Sequence, residues 1–177
     1  MTTTQKRMQH DQAVDLHQFE GADAWQESDD HARIRGYFPI TPGAPNASDV
    51  SAEDLMVVSM EIEPENHLPT HRDSNEELLV VTQGTVEATV GEETIPLSSG
   101  QCAIVPEMEP HGIRNTGEEI ARIVGVFPNT ELTATFEETL QPFGTDVVTL
   151  GGDSGTGDEA VEVDESGDGD DRSPDGV

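Results

Sequence analysis

The sequence has few basic residues, few aromatic residues and almost no cysteine. Lys6 is the only lysine among 177 residues, and 8 basic residues stand against 37 acidic ones, for a formal net charge of -29. A chain of this charge repels nucleic acid phosphates and anionic lipid headgroups, so we expect neither nucleic acid nor membrane as a partner. No apolar run approaches the roughly 18 residues of a membrane helix, and the polar N-terminus lacks the apolar segment of a secretory signal. We therefore expect a cytoplasmic protein.

The single cysteine, Cys102, excludes an intrachain disulfide. It begins the apolar run 102–105, which predicts a buried, inert thiol rather than a reactive one. The acidic residues are spread along the chain, and aromatic residues make up only 4% of it. This pattern resembles proteins of salt-accumulating halophiles, in which salt screens the repulsion between surface carboxylates. We expect the fold to be strained at low salt.

From residue 55 onward, short segments of alternating apolar and polar residues are separated by turn residues. The clearest turns lie at Gly84, Gly91, Gly100 and 115–117, where glycine or asparagine supplies the backbone conformation of a tight turn. Strands are predicted at 34–40, 56–62, 77–81, 85–90, 93–97, 101–105, 112–115, 120–127 and 132–136. Many short strands without a long helical period predict an antiparallel sandwich or barrel.

Length and composition predict one domain with an extension at each end. Residues 1–23 are polar and predict an N-terminal arm, whereas residues 24–150 predict the β-barrel domain, with its motif core at 55–127. Residues 151–177 are rich in Gly, Asp, Glu and Ser, and so little apolar surface predicts a disordered acidic tail. The run 78–81 is apolar on both faces, which predicts a homodimer or an N-terminal segment that covers the outer face.

Two histidines and two carboxylates are spaced so that their side chains can meet. His71, Asp73 and Glu77 lie at even offsets, so in an extended chain they share one face, and His111 follows on a later strand. Their nitrogen and oxygen atoms can close around one divalent metal ion. Asn115, at an even offset from His111, is a candidate to orient one of these ligands, and a turn-forming role is equally open.

With this arrangement the chain resembles the cupins. Their first motif has two histidines, a glutamate and a glycine, and its places are occupied by His71, Asp73, Glu77 and Gly84. Their second motif has a glycine, a proline, a histidine and an asparagine, which correspond to Gly100, Pro106, His111 and Asn115. The resemblance covers about residues 55–127. It implies an all-β fold, a single-domain jelly-roll barrel of antiparallel strands, with a site inside for a metal ion or a small-molecule ligand or substrate.

The sequence departs from the cupin pattern at Met108, where a glycine is usual, and at Asp73, where the second metal histidine is usual. With Asp73 as a fourth ligand, the two carboxylates bring a divalent ion to about zero net charge. Hard oxygen ligands then favour Fe2+, Mn2+ or Mg2+. If Asp73 falls short, His71, Glu77 and His111 form the two-histidine, one-carboxylate set of many non-haem iron oxygenases. His67, roughly 13 Å from His71 along a strand, replaces Asp73 only if the chain bends back.

Three functional hypotheses follow. The first is a mononuclear non-haem oxidoreductase, dioxygenase-like and dependent on one Fe2+ or Mn2+ ion, which acts on a small organic molecule, with isomerase or lyase chemistry as an alternative. The second is a non-catalytic cupin that binds a small metabolite or a metal as a sensor or accessory protein. The third is a dimeric scaffold whose cavity is filled by its own side chains. Because cupin barrels host many chemistries, the resemblance does not name a substrate.

Overall fold

The computed structural model describes residues 13–16, 20–44 and 46–152, which hold twelve β-strands and no helix. In chain order the strands are β1 (Ala22–Gln26), β2 (Asp29–Ile40), β3 (Met56–Ile62), β4 (His67–Asp73), β5 (Glu77–Gln83), β6 (Thr85–Val90), β7 (Glu93–Ser98), β8 (Cys102–Val105), β9 (His111–Asn115), β10 (Ala121–Phe127), β11 (Glu131–Leu140) and β12 (Thr145–Gly151). The predicted all-β fold is confirmed. In this part of the chain, no helix has the length and apolarity that crossing a bilayer requires.

The ends of the chain are described only in part. The tail predicted from residue 151 onward lies outside the described residues beyond position 152, as does most of the N-terminal arm predicted for residues 1–23. β1 begins at Ala22 and β12 ends at Gly151. The predicted domain boundaries stay predictions.

The strands form a nearly closed, barrel-shaped sheet. One side consists of the antiparallel strands β3, β10, β5 and β8. The other side consists of β7, β6, β9 and β4, which continues through β11 to β12. The long strand β2 connects the two sides, because it pairs with β3 and, in parallel through Ala32 and His67, with β4.

The core fills the space between these two sides. In β3, alternate residues point inward, and Met56, Val58, Met60 and Ile62 are all buried. Met60 and Ile62 join inward-facing residues of β5, β6, β9 and β10 in one apolar cluster, whereas Met56 and Val58 pack with Phe127 and Leu132 in a second one. The buried polar residues include His71, Asp73, Glu77 and His111, which are the only buried residues with ionisable side chains in the described part of the chain apart from Tyr37.

The predicted burial of Cys102 is wrong. β8 lies at the edge of the sheet, and its one neighbour among the described strands is β5. Cys102 and Ile104 point outward along this strand, and both are exposed, whereas Val105 points inward and is fully buried. The outer face of β5 and β8 therefore presents apolar side chains to solvent, and the predicted homodimer through such a face stays a prediction.

Candidate metal centre

The two candidate histidines face each other across neighbouring strands. His71 on β4 is paired directly opposite His111 on β9, and their ring centroids lie 4.1 Å apart. On the other side of β4, Phe136 of β11 is paired opposite His71 and stacks on its ring at 4.9 Å. Side chains directly opposite each other in antiparallel strands have adjacent Cβ atoms. The strand register therefore brings the two imidazoles together.

Asp73 forms a compact group with the two histidines. It lies two residues after His71 on β4, so both side chains point to the same face. Its Oδ2 atom lies 3.7 Å from His71 Nε2 and 3.4 Å from His111 Nε2. The potential ligand atoms of all three buried residues lie within 4.8 Å of one another. These distances favour the alternative in which Asp73 is a ligand.

Glu77 reaches the group from a different strand than the spacing suggested. β4 ends at Asp73, and Glu77 begins β5 after a three-residue turn. The expectation that one extended strand carries all three residues is therefore wrong. Glu77 points inward because of the alternation of β5 itself, in which Leu79 and Val81 are also buried. Its Oε2 atom lies 3.4 Å from Nε2 of His111.

Gly125 on β10 leaves room for the carboxylate of Glu77. A Cβ atom at this position would overlap Oε1 of Glu77 and lie 3.2 Å from the ring of Phe127. Gly125 was not among the predicted site residues. The sequence does contain a signal for this role, because a glycine inside an apolar strand often marks a position where another group approaches the backbone closely.

Backbone carbonyls orient both histidine rings. His71 Nδ1 lies 2.9 Å from the carbonyl oxygen of Pro69, and His111 Nδ1 lies 3.0 Å from that of Glu109. Because a carbonyl oxygen can only accept a hydrogen bond, Nδ1 carries a proton in both rings. Nε2 is then the nitrogen that faces the group. Metal-binding histidines are typically oriented in this way.

Two buried polar atoms at the centre of the group have no hydrogen-bond partner among the described residues. They are Oδ1 of Asp73 and Nε2 of His111, and the latter contacts carboxylate oxygens of Asp73 and Glu77 at 3.4 Å without the geometry of a hydrogen bond. An unpaired buried polar atom destabilises a protein by about 1–3 kcal/mol, so such atoms require an explanation. A cation bound between them would satisfy both. Two imidazoles with one or two carboxylates are a suitable ligand set for Mn2+ or Fe2+.

The pKa values of His111 and Asp73 are shifted in opposite directions in the metal-free protein. Burial lowers the pKa of His111, but the neighbouring carboxylates of Asp73 and Glu77 outweigh burial and raise it to about 10. Burial raises the pKa of Asp73, but His111 and His71 outweigh that effect and lower it to about 2. At neutral pH the pair is an imidazolium and a carboxylate. A metal ion that binds at this site would therefore displace a proton.

The group lies at the polar end of a cavity of about 100 Å³. His71, Asp73 and Glu77 line it, whereas His111 is only 1% exposed and lies behind them. All other lining residues are apolar or glycine, and they come mainly from β1, β2, β3, β11 and β12. The cavity gives a small molecule access to the candidate ligands and keeps the surroundings apolar.

Asn115 makes its hydrogen bonds elsewhere. Its amide group donates to the carbonyl oxygens of Ile62 and Glu119, both at 2.8 Å, and its Oδ1 accepts from the N–H of Gly117 at 2.9 Å. These bonds hold the turn after β9 against the end of β3. They match the alternative in which Asn115 forms a turn, and none of them joins Asn115 to a candidate ligand.

His67 belongs to a different part of the molecule. Its Nε2 atom lies 3.5 Å from Oδ2 of Asp29, and it lines a separate surface groove. The β4–β9 ladder does shift register between Leu68 and His71. This irregularity does not bring His67 into the compact group formed by His71, Asp73 and His111.

The turn before β9 is hydrogen-bonded to the backbone of Asp73. Met108 donates its N–H to the carbonyl of Asp73 at 2.8 Å, and Arg72 donates to the carbonyl of Met108 at 2.7 Å. Met108 has a φ of 61°, in the left-handed region that favours glycine. The turn thus keeps a glycine-like backbone at the position where the sequence departs from the cupin motif.

Comparison with known proteins agrees with this architecture. The family model described as a cupin domain matches residues 58–127. A predicted oxalate decarboxylase from Thermotoga maritima is 13% identical, with a TM-score of 0.52, and the match covers 66% of this chain and 98% of that chain. A cupin-2 domain from Rhodospirillum rubrum is 13% identical, with a TM-score of 0.51 and coverage of 62% and 69%.

A larger protein shares the same fold. The oxalate decarboxylase of Lactobacillus farciminis, solved as a formate complex, is 20% identical with a TM-score of 0.51, and the match covers 63% of this chain. The chain spans only 31% of that protein's length. No curated protein matches the sequence. At these identities the structures establish the fold, and together with the family match they show that the chain contains a domain of the cupin superfamily.

Proposed function

We propose that this chain is a cupin that binds one divalent ion, Fe2+ or Mn2+, through His71, Asp73, Glu77 and His111, and acts as a dioxygenase-like oxidoreductase on a small organic molecule. One observation carries the proposal. Oδ1 of Asp73 and Nε2 of His111 are buried without a hydrogen-bond partner among the described residues, at the polar end of a cavity. A divalent ion satisfies both atoms, and the cavity provides the space for a ligand beside it.

The residues of the site have separate tasks in this proposal. His71 and His111 present Nε2, since each Nδ1 is held by a backbone carbonyl. Asp73 and Glu77 supply two negative charges that balance the charge of the ion. A bound ion would supply Lewis-acid polarisation of substrate oxygens and, if it is iron, the capacity to activate dioxygen. The apolar walls of the cavity exclude water from the ligand.

A specific observation favours a second function, a non-catalytic cupin that binds a small metabolite or a metal as a sensor or accessory protein. Apart from His71, Asp73 and Glu77, no side chain in the described part of the chain that lines the cavity can take up or deliver a proton. General acid–base catalysis requires such a group within hydrogen-bonding reach of the substrate. A site whose only polar residues are metal ligands suits binding without turnover.

Oxygen uptake separates the two functions. The protein is loaded with Fe2+ without oxygen, in high salt, and oxygen uptake is followed with a panel of small organic molecules, with the variant His111→Ala as the control. We expect repeated turnover, more than about one oxygen per iron, with at least one molecule and none in the control. Molecules that bind in calorimetry but cause no uptake would instead support the sensor or accessory function.

A further inference from the structure

The cavity beside the candidate metal centre is polar at one end only. His71, Asp73 and Glu77 form that end, and the rest of the lining is apolar or glycine. Among the described residues, the lining contains no lysine, arginine, hydroxyl or amide side chain. A polar group of a ligand that lies against these walls loses its water without gaining a hydrogen bond, and a charged group loses far more. The walls therefore suit the apolar part of a ligand.

The size of the cavity limits that apolar part. Its volume is about 100 Å³. An apolar protein cavity of roughly 150 Å³ holds benzene, so in proportion this one holds about four carbon atoms. The ligand is therefore a small molecule, and a long chain or a fused ring does not fit the cavity as it stands.

The charges of the cluster give no advantage to a dianion. Asp73 and Glu77 already bring two carboxylates to the polar end, and a divalent ion bound there is brought close to zero net charge. A ligand with two negative charges then finds no excess positive charge at the centre and no cation in the walls. One carboxylate head can bind at an open position of the ion. A second head can bind the same ion beside it, but it then adds a second negative charge to a nearly neutral centre between apolar walls.

We propose that the site binds a small molecule with one oxygen-bearing head and an apolar body of about four carbon atoms, and discriminates against small dicarboxylates such as oxalate. This inference rests on the proposed function, because the head is placed at the metal centre. The fold is shared with oxalate decarboxylases. The discrimination comes from the apolar walls of this chain.

Phe143 offers a way to change the walls without disturbing the core. It lies between β11 and β12, lines the cavity and is 45% exposed. In the variant Phe143→Arg the long side chain covers part of the same surface and keeps its charge near water. The matched control is Ile104→Arg, which adds the same charge on the outer face of β8, where Ile104 is 54% exposed and does not line the cavity.

Isobutyrate and oxalate test the proposal directly, because each has six non-hydrogen atoms and a carboxylate head. Only the other end differs, since it is apolar in isobutyrate and charged in oxalate. The full chain, loaded with Mn2+ in high salt, is titrated with each ligand in a calorimeter, and its metal content is measured before and after. We expect isobutyrate to bind at least about ten-fold more tightly than oxalate. Phe143→Arg should reduce this ratio by about five-fold or more, and Ile104→Arg should leave it unchanged.

The outcomes distinguish this inference from the function on which it rests. If the protein does not bind Mn2+, both are overturned. If it retains Mn2+ and binds oxalate as tightly as isobutyrate, or does not bind isobutyrate at all, only the proposed ligand class is wrong. If Phe143→Arg and Ile104→Arg reduced the ratio of the two affinities equally, the proposed ligand class would also be overturned. The preference for isobutyrate would then depend on the overall charge of the protein rather than on the cavity walls.

Discussion

Oδ2 of Asp73 lies 3.4 Å from Nε2 of His111, and the two residues are only 2% and 1% exposed. The residues come from different motifs and different strands, β4 and β9. Asp73 stands where the cupin motif usually has a histidine, so an imidazole–carboxylate pair replaces a pair of imidazoles. In the metal-free protein the two groups stabilise each other's charged forms, and in the metal-bound protein we propose that both are ligands.

Removal of the charge of Asp73 should weaken metal binding. The variant Asp73→Asn keeps the shape of the side chain but replaces an anionic oxygen ligand with an amide. We expect the affinity for Mn2+ to fall by at least about ten-fold in a calorimetric titration. Glu76→Gln is the matched control, because Glu76 is an exposed acid in the turn between β4 and β5. Equal affinities of Asp73→Asn and the wild type would remove Asp73 from the ligand set.

The position of Glu77 depends on the absence of a side chain at Gly125. In Gly125→Ala the new methyl group overlaps Oε1 of Glu77 and forces the carboxylate to move. We expect the free energy of unfolding to fall by about 1–3 kcal/mol and the affinity for Mn2+ to fall with it.

Gly117→Ala is the control for this substitution. A Cβ atom at Gly117 meets nothing closer than 3.5 Å, so denaturant unfolding and Mn2+ titration should both stay close to the wild type. If Gly125→Ala lowered stability but left the affinity for Mn2+ unchanged, Glu77 would not be a ligand.

The stability of the metal-free protein should depend on pH through the same buried pair. The pKa of His111 is raised from 6.5 to about 10, so its contribution is complete below pH 6.5 and is lost as the pH rises through 10. The pKa of Asp73 is lowered from 3.8 to about 2, so its contribution is complete above pH 3.8 and is lost as the pH falls through 2. The pair therefore contributes most between pH 3.8 and 6.5.

Denaturant unfolding in the presence of a chelator measures this contribution. The wild type is compared with the double variant Asp73→Asn and His111→Gln at pH values from about 5 to 9. The difference in the free energy of unfolding should be largest near the acidic end of this range and shrink as the pH rises. A difference that grows with pH would contradict the assigned charges.

The left-handed backbone of Met108 stores strain that glycine does not have. Met108 has a φ of 61° and is 48% exposed, so its side chain contributes little to the core. We expect Met108→Gly to raise the free energy of unfolding by about 1 kcal/mol, as measured by denaturant unfolding. Metal affinity should be unchanged, because the hydrogen bond from residue 108 to Asp73 uses the backbone. A loss of stability would mean that the Met108 side chain packs more effectively than its exposure indicates.

Local patterns in the sequence predicted the strands whose alternation decides which face is buried. The strand predicted at 85–90 has the bounds of β6, and the alternating residues of β3 are buried as the pattern requires. The motif spacing selected His71, Asp73 and His111, which the structure brings together. Their contact depends on strand register, which the resemblance to cupins implies and local sequence patterns do not determine.

Features set by distant parts of the chain were not predictable in this way. Cys102 is exposed because β8 lies at the edge of the sheet, and the order of strands is a long-range property. β12 was missed because it is defined by its pairing with β11. The turn that separates Asp73 from Glu77 was also missed. Residues at even offsets point to one side if they lie on a single strand, and they can also point to one side if they lie on two strands joined by a turn, so the sequence pattern is the same in both cases.

The metal content of the protein tests the central claim most directly. The chain is purified in high salt without a metal-chelating column, and its metal is measured by elemental analysis beside the variant His111→Ala. We predict about one iron or manganese per chain in the wild type and a near-complete loss in the variant. No metal in either protein, even after incubation with Fe2+ in the absence of oxygen, would contradict the metal centre and leave a cavity that binds its ligand without an ion.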